Sequence, residues 1–252
     1  MSRWAVRTVA TFLAVLALPV FSQTAPSTPR SSFLDMSPEN QALQRNPEQS
    51  PALLERLHGE RVWADQCMAC HGELPSMGAI VRRFPRLHNE QIQRLSDQIN
   101  ACRVTRLRKS AIGVHDPEML ALSLVLQQSA NGLEWTPVSP ADGPIASAHL
   151  AQGQRLFEAR MGQLNLSCAQ CHNDLAGQRL GGAIIPQGHP NGYPIYRLEW
   201  QAIGSLERRI RNCNLGVRAE PLDPASHEMR ALVAYLAHRA RGMPLEGMAV
   251  RP

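Results

Sequence analysis

One pattern, used twice, consumes all six cysteines of this chain. Cys67-Met-Ala-Cys70-His71 is followed by a lone Cys102, and Cys168-Ala-Gln-Cys171-His172 by a lone Cys213. C-x-x-C-H is the attachment signature of c-type haem, in which two thiols bond the vinyl groups and the histidine ligates the iron. Two intervening residues let both sulfurs reach one porphyrin edge, and the adjacent histidine then swings under the iron. A single C-x-x-C also suits zinc or a thioredoxin-like redox pair. Here both copies carry the histidine, and no histidine pair beside either of them completes a four-ligand zinc site. The expected cofactors are two covalently bound haem c groups, one on Cys67 and Cys70 with His71 axial, the other on Cys168 and Cys171 with His172 axial.

Haem c is attached outside the cytoplasm, so an export signal is expected, and residues 1–22 have its form. Arg3 and Arg7 give a positive start, Phe12 to Leu18 an apolar run, and Val20 and Ser22 the small-residue positions before a cut at Gln23. A membrane anchor needs about 20 apolar residues, and this run is shorter. The sequence therefore predicts a periplasmic protein with no membrane span. With the leader removed, 24 basic residues face 21 acidic ones, too mild an excess to argue for nucleic acid. Aromatic residues are scarce at 5%, as expected where haem fills much of the core.

Residues 23–52 are rich in Pro, Ser, Gln and Asn and read as a tether or a strand-like arm wrapped over the body. Residues 136–146, with Pro137, Pro140 and Pro144, read as a linker. Between these breaks the halves correspond. Gly59-Glu-Arg-Val-Trp63 answers Gly153-Gln-Arg-Leu-Phe157 ahead of each haem motif. A helix ending on the lone cysteine follows, Leu95 to Cys102 answering Leu206 to Cys213 at an offset of 111. A closing helix follows at an offset of 110, Glu118-Met119-x-Ala121-Leu122 answering Glu228-Met229-x-Ala231-Leu232, with Gly132 answering Gly242. Apolar spacing of i, i+3, i+4, i+7 in the closing segments marks helices on a core, and no segment alternates with period two. The expected fold is all-α: two tandem cytochrome c-like domains, 53–135 and 147–252, related by an internal repeat and preceded by an N-terminal arm.

A second axial ligand decides what such a haem does. The methionine and histidine candidates are Met77, Met119, His88 and His115 in the first half, and Met229, Met243, His189 and His227 in the second. Met119 and Met229 match across the repeat but sit among apolar helix positions, where methionine usually fills core gaps. Cys102 and Cys213 also match. Each is either a buried thiol, half of a disulfide, or a thiolate ligand. A disulfide needs two equivalent sites in separate domains to meet, whereas ligation explains both cysteines at once, so Cys102 and Cys213 are taken as the distal ligands.

Arg209 lies four residues before Cys213, on the same helix face one turn away, with Arg208, Arg211 and Arg218 nearby. The matching residues before Cys102 are Asp97, Gln98 and Asn100. A guanidinium binds an oxyanion through paired hydrogen bonds, so the asymmetry points to a small dianion at the second site. Arg103, Arg106, Arg108 and Lys109 follow Cys102, so positive charge near a cysteine is not confined to the second half.

Two C-x-x-C-H sites, lone cysteines 31 and 41 residues beyond the haem histidines, and the run Arg209-Ile-Arg-Asn-Cys213-Asn-Leu-Gly216-Val-Arg218 resemble the SoxA family from about residue 35 onward. That resemblance implies a dihaem subunit, heterodimeric with a SoxX-type monohaem cytochrome, that couples thiosulfate oxidatively to a cysteine of a SoxYZ-type carrier protein. It implies that Cys213 is the catalytic cysteine, carrying a persulfide, and that Arg209 binds substrate. Two rival readings stay in view. A tetrathionate-forming thiosulfate dehydrogenase has methionine at one haem, and a dihaem electron carrier has methionine or histidine at both.

Overall fold

The computed structural model describes residues 28–252, together with Met1; the expected leader lies outside them. Nine helices and seven short strands are formed among the described residues. The closing helices begin where the sequence supplies caps. Asp116 accepts from the Glu118 amide, ahead of Pro117, to start α6 (Pro117–Ser129), and Ser226 accepts from the Met229 amide to start α9 (His227–Arg239). Each packs against the helix that opens its own half: α2 (Leu53–Gln66) on α6, and α7 (Pro144–Glu158) on α9.

Glycine permits both crossings. A Cβ on Gly59 would lie 2.2 Å from the Ala121 carbonyl oxygen, and one on Gly153 2.1 Å from that of Ala231. The same two sites of the repeat therefore let two helix backbones touch. Around them lie separate cores, one with Val62, Trp63, Met119 and Leu126, the other with Phe157, Met229, Leu232 and Leu236.

The haem motifs occupy single turns after α2 and α7. The first is α3 (Met68–His71), followed by α4 (Gly78–Val81); the second is a π-helical turn, Gln170–Asp174. Each is followed by a hairpin that leads into the cysteine helix. In the first half β1 (Arg86–His88) pairs with β2 (Gln91–Gln93), then α5 (Leu95–Thr105) begins. The second half adds a small hairpin, β3 (Arg179–Leu180) with β4 (Ala183–Ile184), before β5 (Ile195–Arg197) pairs with β6 (Ala202–Gly204) and α8 (Leu206–Gly216) begins. Helix dominates as expected, but these two- and three-residue strands are an addition. They are too short to show alternation in sequence.

Three expectations need correction. The cysteine helices do not end on cysteine: both continue three residues further, so Cys102 and Cys213 sit inside the last turn. The arm is helical rather than strand-like, because Ser37 accepts from the Asn40 amide and Pro38 takes the first position of α1 (Pro38–Arg45). Pro144 likewise opens α7 instead of marking a linker, so the second helical unit begins three residues earlier than 147.

The halves meet across a pseudo-two-fold axis. Gly132 N–H donates to Leu245 and the equivalent Gly242 N–H to Trp135; Leu245 N–H donates to Leu133 and the equivalent Trp135 N–H to Met243. These four bonds are two pairs related by the 110-residue offset. Ala237, Ala240, Met243 and Leu245 complete the first core. The arm closes over the other side: Ser31 and Gln44 donate to Glu246, and β7 (Val250–Arg251) pairs in parallel with β5 while Arg251 bonds Ser32, Gln44 and Glu246.

Candidate haem sites and their cysteine helices

In the second half, His172 Nδ1 lies 2.7 Å from the Pro186 carbonyl oxygen. A carbonyl only accepts, so Nδ1 carries the proton and Nε2 keeps its lone pair for a metal. Burial holds the His172 pKa down, against the Pro186 bond, and the nearby Arg209 and Arg239 guanidiniums add to the fall. The neutral imidazole that ligation requires is thereby favoured. Gly188 packs against the same ring, where a Cβ would come within 3.0 Å of it.

The thiols of the motif are close to the lone cysteine. Burial pushes Cys168 up to about 11 and raises Cys171, and in both the next influence is the charge of Cys213. Cys67 is raised by burial and then by Cys102 in the same way. Each lone cysteine thus lies near its own haem motif. All six thiols are unpaired, so the disulfide alternative is not formed. Gln98 Nε2 lies 3.5 Å from Cys102 Sγ, in the place that Arg209 holds relative to Cys213.

A cavity of about 520 Å³ opens beside Cys168, lined by Leu156, Leu222, Leu232 and Met161 and edged by Arg218 and Asn214. Of the second haem motif only Cys168 lines this cavity, and its apolar walls beside that free thiol suit a covalently attached porphyrin. In the first half Trp63 Nε1–H donates to the Gly72 carbonyl at 3.0 Å, and its ring stands 5.9 Å from that of His71.

Most of the alternative candidates pack in cores or meet other side chains, while His189 lies near His172. Met119 and Met229 are 1% and 0% exposed within the two cores. Met77 packs on the first core, and Met243 joins it across the axis. His227 stacks on His149, His115 Nδ1 meets the Ser205 hydroxyl, and His88 is exposed on its hairpin. His189 Nε2 lies 3.0 Å from Gln187 Oε1, and burial holds its pKa down to about 4.

The arginines separate equally clearly. Arg209 acts electrostatically on both His172 and Tyr193, and Cys213 also acts on Tyr193, so both lie in the neighbourhood of Tyr193. Arg208 turns away and lies 4.3 Å over the Trp200 ring, while Arg211 is exposed and Arg218 edges the cavity. Two further residues were not singled out from the sequence. Tyr193, whose phenol burial pushes up to about 12, lies close enough to feel the charges of Arg209 and Cys213. Arg239, stacked 4.3 Å over Phe157, donates to Asn173 at 2.6 Å and to the Gln187 carbonyl at 3.2 Å. A basic residue in the last turn of a mostly apolar helix was the available signal for Arg239; Tyr193 had none.

Duplicated helical units, each with a C-x-x-C-H turn and a facing cysteine, define a c-type cytochrome. The model of the SoxA/TsdA cytochrome c domain matches twice, over residues 58–135 and 152–245. The chain belongs to that family, on its SoxA branch, and so carries covalently bound haem. It is 30% identical over 246 residues to the L-cysteine S-thiosulfotransferase subunit SoxA of Allochromatium vinosum, covering 92% of this chain and 86% of that one. With the SoxA of Paracoccus pantotrophus it shares 29% identity over 218 residues, 83% of this chain and 74% of the relative. It superposes on a chain of the SoxXA crystal structure from P. pantotrophus with a TM-score of 0.84 at 27% identity, covering 93% of this chain and 91% of that chain.

Proposed function

We propose that the protein is the haem-bearing L-cysteine S-thiosulfotransferase subunit of a periplasmic SoxAX-type heterodimer. In this reading it couples thiosulfate to a cysteine of a SoxYZ-type carrier. The observation that carries the reading is Arg209 one helical turn before Cys213, beside the second haem motif, where the first unit has the neutral Gln98. The names of the relatives agree with it.

Cys67, Cys70 and His71 with Cys102 would hold one haem, and Cys168, Cys171 and His172 with Cys213 the other. When bound, haem would supply the one-electron acceptor through which charge could pass to the monohaem partner. The chain's own residues do the rest. Arg209 binds the sulfonate end of thiosulfate through its paired N–H groups, which fixes the outer sulfur toward Cys213. Cys213 carries an extra sulfur as a persulfide, a reversible state of cysteine. In the net reaction the carrier S–H bond breaks, its proton passes to solvent, and a sulfur–sulfur bond forms to the outer sulfur of thiosulfate. Two electrons are released, giving the carrier S-thiosulfonate.

The test is Cys213→Met in the full-length, haem-loaded protein with its partner and carrier. The variant is expected to fold and to keep its haem content while carrier-dependent thiosulfate oxidation is lost. Full activity would remove Cys213 from the chemistry.

A further inference from the structure

Helix α8, which bears Arg209 and Cys213, buries Glu207, Ile210 and Asn214 along one face. Ile210 enters the second core, and Asn214 Nδ2 donates to the Glu220 carbonyl at the C-terminal end. The N-terminal end is held by the first unit instead. Arg94 donates through NH1 to Glu207 Oε1 at 2.7 Å, and the two residues are only 8% and 5% exposed. The same nitrogen donates to the Pro224 carbonyl at 2.8 Å, fixing the loop that contributes Glu220 and Leu222 to the cavity. Beside it His115, also of the first unit, meets the hydroxyl of Ser205, the residue that caps α8.

Arg94 is itself locked. It caps α5, the Cys102 helix, and pairs with Asp97, which in turn accepts from Arg230 of α9. Burial disfavours charge on Asp97, yet Arg94 and Arg230 hold its pKa below the usual carboxylate range. Burial also works against the Arg94 charge, but Asp97 and Glu207 raise its pKa above the ordinary value. A buried ion pair of this kind contributes little net stability over an apolar pair, but it fixes one geometry, since removing either partner strands the other charge. The Arg94–Glu207 pair has no counterpart in the repeat. The repeat maps Arg94 onto Ser205 and Glu207 onto Ser96, two serines that cannot form a charge pair. The first unit grips the reactive helix of the second through Arg94 and Glu207, and the second unit reaches back through Arg230 of α9 to Asp97 at the start of α5.

We propose that Arg94 is a positioning residue for the thiosulfate site: through Glu207 it sets the placement of α8, and hence of Arg209 and Cys213. Glu207 precedes Arg209 by two residues and Cys213 by six, about 9 Å along the helix, so a shift at the anchor is transmitted within one rigid element. This gives the first unit a role in the chemistry of the second that does not depend on its own haem. The inference rests on the reading of Cys213 and Arg209 given above.

The test uses Glu207→Gln, which keeps the shape and removes the charge, and Arg94→Gln as the partner variant, both in the full-length, haem-loaded protein. Amide exchange along residues 206–216 is expected to rise about tenfold or more in either variant. In Glu207→Gln the electron paramagnetic resonance signal of the second haem is expected to change while that of the first stays as in wild type; Arg94→Gln, which also loses the Asp97 contact of α5, is read on the second haem. Turnover should fall about tenfold or more, since displacements near 1 Å cost about 100-fold. A lowered melting temperature with unchanged second-haem signal and unchanged turnover would overturn the proposal, as would equal changes at both haems in Glu207→Gln. If Arg94→Gln fails to fold, Glu207→Gln decides alone. If the wild type itself shows no thiolate signal, the reading of Cys213 falls, while the exchange measurement still decides whether Arg94 anchors α8.

Discussion

Replacing Gly153 by alanine places a methyl group where the Ala231 carbonyl oxygen already stands. At 2.1 Å from that oxygen, and 2.6 Å from Tyr235 Cβ, the methyl forces α7 and α9 apart by more than 1 Å to reach ordinary contact. The obstacle is backbone rather than the end of a flexible side chain, so local rotation cannot relieve it. Overpacking of this kind costs about 1–3 kcal/mol, and a backbone clash lies at the upper end. Alanine returns about 1 kcal/mol through helix propensity, leaving a net loss of about 2 kcal/mol. At about 2–4 °C per kcal/mol for a chain of this size, the melting temperature falls by about 4–8 °C. Thermal unfolding followed by circular dichroism on the haem-loaded protein reads this directly. Gly113→Ala is the control, because nothing lies within 4 Å of its Cβ position and its φ is ordinary, so it should change stability by less than about 0.5 kcal/mol. Gly59→Ala should repeat the Gly153 result, its Cβ meeting the Ala121 oxygen at 2.2 Å. A Gly153→Ala protein that melts at or above wild type would refute the reasoning and with it the equivalence of the two crossings.

Arg209→Lys keeps the charge but loses the planar fork; kcat/KM for thiosulfate should fall about tenfold or more, chiefly through KM, and an unchanged KM would take Arg209 out of the substrate site. Glu246→Ala strands the buried Arg251 at the clasp between arm and body, which should cost about 3–5 kcal/mol in denaturant unfolding; a loss under 1 kcal/mol would show that the clasp carries no buried charge pair. Acid should weaken the fold in a defined window. Burial depresses His189 from 6.5 to about 4, so the folded state resists protonation and the unfolded state does not. The stability it confers is complete above 6.5 and is lost as pH falls toward about 4; His189→Asn should flatten that slope, and an unchanged slope would assign it to other groups.

The sequence announced those features that recur at fixed offsets. Paired C-x-x-C-H turns and closing helices with Met119 and Met229 stand where the offsets put them, and the lone cysteines fall three residues short of their helix ends, because covalent chemistry and helical periodicity leave direct marks on residue order. The hairpins did not, since two or three residues cannot establish alternation. Helix α1 was missed although Ser37-Pro38-Glu39 is a start signal, because the surrounding Pro, Gln and Asn suggested a tether. Arg94, Tyr193 and Arg239 could not be found from spacing. Their importance comes from partners far away in the chain, as with Glu207 for Arg94 and Phe157 for Arg239.

The central claim is that Cys213 is the distal ligand and reactive sulfur of the second haem, with Cys102 its counterpart at the first. The low-temperature electron paramagnetic resonance spectrum of the oxidised, haem-loaded protein tests it most directly. The account predicts two low-spin thiolate-ligated species, of which only one is lost in Cys213→Met. One thiolate species beside a methionine-ligated one, or no thiolate species at all, would contradict it.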